Sequence, residues 1–174
     1  WPAIFFPKAQ DGDAKEVFSR FATYFLLAGS IVSVFIMCVS DHLIMLMGPK
    51  EYRSAYTVVP VLVSGILIHG FQSTINLGLF IKNRTAYAPF LVICGALCNI
   101  AFVAMLVPRY GMIGAATGTM MAHIVMLALT YWINQRIYPV HYEYRRLSQV
   151  VVAYSFIWIA NYFIQIESFW WAMA

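Results

Sequence analysis

Charge is what this sequence has least of. Only 10% of its residues are Asp, Glu, Lys or Arg, where a soluble domain carries about a quarter, so an ordinary water-facing surface is excluded. Acids are the scarcer sign. The seven are Asp11, Asp13, Glu16, Asp41, Glu51, Glu143 and Glu167, and none lies within a long apolar run. There is no paired-carboxylate motif, no nucleophile-and-base pattern and no glycine-rich phosphate loop, so the chain is not expected to be an enzyme or to hold a cofactor. An ion-coupled pump built from these residues alone would lack its intramembrane charge. Cysteine is rare as well. Cys38, Cys94 and Cys98 sit inside apolar runs as small polarisable packing residues. Cys94 and Cys98 share a helix face, but no carboxylate or second histidine completes a metal site, and none is expected.

What is abundant is apolar surface: 62% of the 174 residues are hydrophobic and the mean hydropathy is +0.75. This is the composition of a membrane protein. The formal charge of +4 does not point to nucleic acid, because the basic residues fall in short loops and form no face along which a phosphate backbone could lie. Residues 1–20 mix aromatics with charge and contain no signal-peptide core. The last residues, Phe169 to Ala174, start a further aromatic run too short to span. The expectation is a fragment of a longer protein: a linker at 1–20, a bundle over 21–166, and the start of a truncated segment at 167–174.

A membrane crossing takes about 20 apolar residues, and five stretches qualify: 21–39, 57–80, 86–107, 112–133 and 147–166. The predicted fold class is therefore all-α and polytopic. Gly29 and Ser33 form a small-residue seam on the first span. Asp41 to Tyr56, broken by Gly48-Pro49, is expected to be an interfacial connector. Pro60 lies in the first turn of the second span, where a missing N–H does least harm. The third and fourth spans are separated by a four-residue break, Pro108-Arg109-Tyr110-Gly111, and Gly114, Gly118 and Ala122 then line one side of the fourth. That reads as a transmembrane hairpin whose small residues let two backbones approach closely. Gly65, Gly95, Gly111, Gly114 and Gly118 are the expected packing and hinge positions.

Orientation follows from the cations. If each span crosses once, Lys8, Lys15, Arg20, Lys82, Arg84, Arg136, Arg145 and Arg146 lie on one side, and Lys50, Arg53 and Arg109 on the other. The excess places residues 1–20 in the cytoplasm and the far end outside.

Intramembrane polar residues are the candidates for function. On the second span, Gly65, His69, Gln72 and Asn76 are spaced 4, 3 and 4, which puts them on one helix face. Two interpretations stand open. The stripe could wall a hydrated cavity and bond a polar ligand, with His69 titrating near neutral pH, or it could bond across to neighbouring helices and hold the bundle together. Asn99 on the third span is a further cavity candidate that packing also explains. His123, with Thr119 one turn earlier, is most simply a packing residue.

At Asn99, the Pro108 to Gly111 turn and the run from Gly111 to Thr119, the sequence resembles the carboxy-terminal half of bacterial polysaccharide flippases, the O-antigen and exopolysaccharide translocases. Their superfamily also contains multidrug extruders and lipid II flippases. Tyr52-Arg53-Ser54-Ala55, Val58-Val59-Pro60, Ile137-Tyr138-Pro139-Val140 and Tyr142 to Arg146 extend the resemblance over roughly 18–166. It implies two pseudo-symmetric six-helix lobes in the bacterial cytoplasmic (inner) membrane. These would move a lipid-linked oligosaccharide of the undecaprenyl pyrophosphate type to the outer leaflet for cell-surface polysaccharide synthesis. This chain would form part of the second lobe, partnered by the bilayer and by an N-terminal lobe that carries the cations for the pyrophosphate. The alternatives are a cation-coupled multidrug antiporter of the same superfamily and a membrane polysaccharide polymerase or ligase. The first would call for an intramembrane acid, the second for a long outer loop carrying Arg and His.

Overall fold

A computed structural model describes residues 14–47, 57–76, 78–79 and 86–173. Four helices are formed among them: α1 (Ala14–Met47), α2 (Val59–Ile75), α3 (Tyr87–Ile137) and α4 (Tyr144–Met173). The chain is all-α, as its composition predicts. Two stretches, Lys15–Ser40 and Tyr87–Ile137, are long and apolar enough to cross a membrane, and Val59–Ile75 is a shorter apolar helix.

Helix α3 counts 51 residues, which would make a rod of roughly 77 Å if straight. It is instead a hairpin. Gly111 takes φ 55° and ψ −129°, a mirror-β conformation that glycine adopts readily and that costs an L side chain about 1–3 kcal/mol. Residues 87–110 and 112–137 thus form two arms folded against each other. A Cβ placed on Gly114 would run into the backbone carbonyl of Leu106, and one on Gly118 would lie 3.1 Å from the carbonyl carbon of Phe102. Further from the turn, a Cβ on Gly95 would meet the Met126 sulfur at 2.7 Å. These pairings recede evenly from Gly111, so the arms are antiparallel. The expected hairpin is present, with one correction: the break is a single residue. Pro108, Arg109 and Tyr110 stay helical, because only Gly111 can adopt the left-handed backbone that reverses the chain.

Other boundaries shift for similar reasons. Asp41 to Met47 continue α1 rather than opening a separate connector; their apolar residues keep a helical spacing, and no breaker occurs before Gly48-Pro49. Asn134 to Ile137 extend α3, and Tyr144 already belongs to α4, so the segment between the expected spans 112–133 and 147–166 shrinks to 138–143. Helix α4 runs unbroken to Met173, which makes 167–173 its continuation and not a new segment. The remaining connector at 48–56, the turn at 81–85 and residues 1–13 lie outside the described residues.

Packing directions alternate along the chain. Leu67 of α2 presses on Gly29 of α1, and Phe25 on Gly70, which makes α1 and α2 antiparallel. Gly65 lies against Met120 and His123, Gln72 bonds Thr130 and Ile75 bonds Asn134, so α2 runs parallel to the second arm of α3. Thr23 of α1 bonds Glu143, just before α4, and Ser33 further along α1 bonds Tyr154, so α1 and α4 run in the same direction. Met37, Leu79, Leu91 and Thr130 are sealed inside. Outward, the molecule is greasy: Phe156 is 74% and Met105 72% exposed, and Ile66, Phe35, Val152, Ile100 and Leu97 are similarly bare. Apolar patches this continuous are not left facing water in a stable soluble monomer, and together with the two long apolar helices they point to a membrane environment.

Candidate functional site

The polar residues of the second predicted span meet a matching set on α3. His69 and His123 stack with ring centroids 4.9 Å apart and planes inclined by 31°. One turn toward the end of α2, Nε2 of Gln72 donates to Oγ1 of Thr130 at 3.1 Å, with Gln72 only 3% exposed and Thr130 fully enclosed. At the helix terminus, Nδ2 of Asn134 donates to the Ile75 carbonyl at 2.6 Å. Asn76 caps α2, its backbone N–H donating to the Gln72 carbonyl at 3.1 Å. Gly65 sits one turn before His69, where an added Cβ would touch His123 and Met120 at 3.6 Å. The amide that could serve a ligand at Gln72 is therefore engaged within the protein, in the manner of an interhelical bond. His69 keeps one side exposed. Asn99 lies half-buried on the first arm of α3 and does not join the stripe.

Thr130 and Asn134 were not singled out by sequence. The signal is there in retrospect: His123, Thr130 and Asn134 are spaced 7 and 4 and so share one helix face, the counterpart of the α2 stripe. By sequence Asn134 falls just beyond the 112–133 span, which hides it. Gly78 completes this contact, since a Cβ there would overlap the Asn134 amide.

A sizeable cavity lies elsewhere. About 550 Å³ opens between α1, α2, the second arm of α3 and α4, walled by residues such as Leu26, Leu67, Phe71, Leu127, Val151 and Trp158. Among its polar groups Ser64 and Tyr154 are already paired, and the Ser30 hydroxyl is buried without a partner. Oγ of Ser64 donates to the Pro60 carbonyl at 2.6 Å, which leaves the Tyr154 hydroxyl as the donor in the 2.8 Å contact between Tyr154 and Ser64. None of His69, Gln72, Asn76 or Asn99 lines it. Such a wall suits an alkyl chain far better than a sugar.

At the other end of the hydrogen-bonded interface lies an aromatic cluster. Tyr131 and Tyr144 share a hydroxyl–hydroxyl contact of 2.7 Å, and the Tyr142 ring lies 6.2 Å from that of Tyr131. Burial pushes the Tyr142 phenol up to about 12, against a weaker opposing pull from the Asn134 amide. Burial also raises Tyr138, over whose ring Lys15 Nζ sits at 5.2 Å. The Arg136 guanidinium stacks 3.8 Å from the centre of the Trp132 ring. Cations and tyrosines thus collect at one end of the bundle, the arrangement that favours a lipid headgroup layer. Among the described residues, no three of His, Cys, Asp and Glu come together as metal ligands would. No protein-family model, curated protein or solved structure matches the chain.

Proposed function

We propose that this chain is part of a multi-pass transporter of the bacterial cytoplasmic membrane that flips lipid-linked oligosaccharide outward, with residues 14–20 on the cytoplasmic side. The observation that carries the proposal is the alternating packing order. Helix α1 is antiparallel to α2, α2 is parallel to the second arm of α3, and α1 is parallel to α4. That order is what five successive crossings require. Each arm of α3 is long enough to cross by itself, at roughly 36–39 Å. The aromatic and cationic end is then the cytoplasmic one, in agreement with the loop charges.

Transport of a lipid-linked sugar is supported by the flippase-like residues from Asn99 to Thr119 and by the apolar cavity, which has the size and chemistry for a stretch of isoprenoid chain. The sugar and pyrophosphate would be met by the partner lobe. The test is genetic. Cells lacking the full-length gene should accumulate lipid-linked oligosaccharide on the inner leaflet of the membrane; normal appearance of that lipid on the outer leaflet would rule the proposal out. A cation-dependent efflux of dyes by the full-length protein would instead favour the antiporter.

A further inference from the structure

We propose that His69 and His123 form a proton-sensitive latch between α2 and the second arm of α3, closed when the imidazoles are neutral and released when both are charged. The two rings belong to different helices and stack directly, 4.9 Å between centroids. Neutral rings in that geometry attract. A single proton can be carried by either one, but a second sets two like charges about 5 Å apart across the contact between α2 and α3.

No counter-charge is at hand among the described residues. His69 is the only titratable residue on α2. On α1, the stretch that packs against α2 carries only Tyr24 and Cys38 between Phe21 and Ser40. The charged residues of α3 are Arg109, beyond the Gly111 turn, and Arg136, at the far end of the second arm, and both are cations; its remaining titratable groups are cysteines and tyrosines. Helix α4 contributes Tyr154, whose hydroxyl is engaged with Ser64. With no carboxylate among these facing residues, a second proton is accommodated by separation of the rings.

The rest of the interface says how they would separate. Below the pair, Gln72 to Thr130 and Asn134 to the Ile75 carbonyl hold the C-terminal half of α2 with bonds that do not titrate near neutral pH. Above it, Gly65 touches Met120 and its backbone bonds His123, while the first turns of α2 are tied to α4 rather than to α3, through Ser64 with Tyr154 and Trp158 with the Pro60 carbonyl. Charging the pair therefore loosens α2 from α3 around His69 while its C-terminal half stays pinned. The device works whatever the bundle carries.

Hydrogen–deuterium exchange on the full-length protein in lipid nanodiscs reads this directly. After correction for intrinsic exchange, amides of 62–70 should exchange at least about tenfold faster at about pH 5 than at about pH 8, while those of 72–76 keep their protection. His69→Phe and His123→Phe retain an aromatic stack without the proton, and both should abolish the pH response. Equal protection at the two pH values in the native protein would overturn the proposal, and that result needs no variant to fold. So would a uniform change along all of α2, or a pH response that survives in the double Phe variant.

Discussion

Nδ2 of Asn134 lies 2.6 Å from the carbonyl oxygen of Ile75, a side chain on α3 closing the last turn of a helix 59 positions earlier. The bond supplies a partner to one of the carbonyls that a helix C-terminus leaves open. Asn134 is 2% exposed, so no water replaces it. Asn134→Leu in the full-length protein should cost about 1–3 kcal/mol, read as a lower thermal midpoint in nanodiscs. Gly78→Ala, which forces a methyl into the same amide, should lower the midpoint as well.

The α3 hairpin separates two kinds of glycine. Gly114 faces the backbone of Leu106, and no rotamer change can make room there. Gly111 has open space around it and a left-handed φ. Gly114→Ala should therefore cost about 1–3 kcal/mol or more from overpacking, and Gly111→Ala about 1–3 kcal/mol from backbone strain alone. Thermal midpoints of the two variants check both, and Gly111→Asn should bring no relief, because ψ −129° lies outside the αL region that asparagine tolerates.

If Gln72 is committed to Thr130, the two residues are energetically coupled. A double-mutant cycle with Gln72→Leu and Thr130→Val should return a coupling of about 0.6–1.7 kcal/mol. Strict additivity of the two changes would leave Gln72 available to a ligand.

Much of this was legible in the chain, and the reasons differ by residue. Gly114 and Gly118 four apart after a turn announce a close helix pair, because nothing else in a bilayer rewards that spacing so directly. Pro60 marks a helix start through its missing N–H. The Pro108-Arg109-Tyr110-Gly111 break overstated the turn, since proline lowers helix propensity without forbidding helix and only φ at Gly111 had to change. The stripe Gly65, His69, Gln72, Asn76 was visible as a face, but not what that face meets. The partners Thr130 and Asn134 depend on the register between two helices far apart in sequence, which local spacing does not encode. For the same reason His123, judged alone, reads as filler, and only its apposition to His69 gives it a chemical role.

Alkaline pH offers a fourth test, outside the membrane span. Burial raises the Tyr142 phenol to about 12 in the folded protein, while an unfolded tyrosine titrates near 10. The folded state holds its proton longer, so stability is unaffected below about pH 10 and falls between about pH 10 and 12, by up to roughly 2–3 kcal/mol. In Tyr142→Phe that share of the alkaline loss should disappear, and the difference in midpoint between the two proteins should narrow as pH rises through this window.

The most direct measurement of the central claim is reconstitution. The full-length protein is placed in vesicles whose inner leaflet carries lipid-linked oligosaccharide, and an external lectin reports what reaches the outer leaflet. Lectin binding should rise with time in proportion to the protein present and fall toward the protein-free level with Gly114→Ala. Native protein that is folded and inserted, yet leaves lectin binding at the protein-free level, would contradict the account.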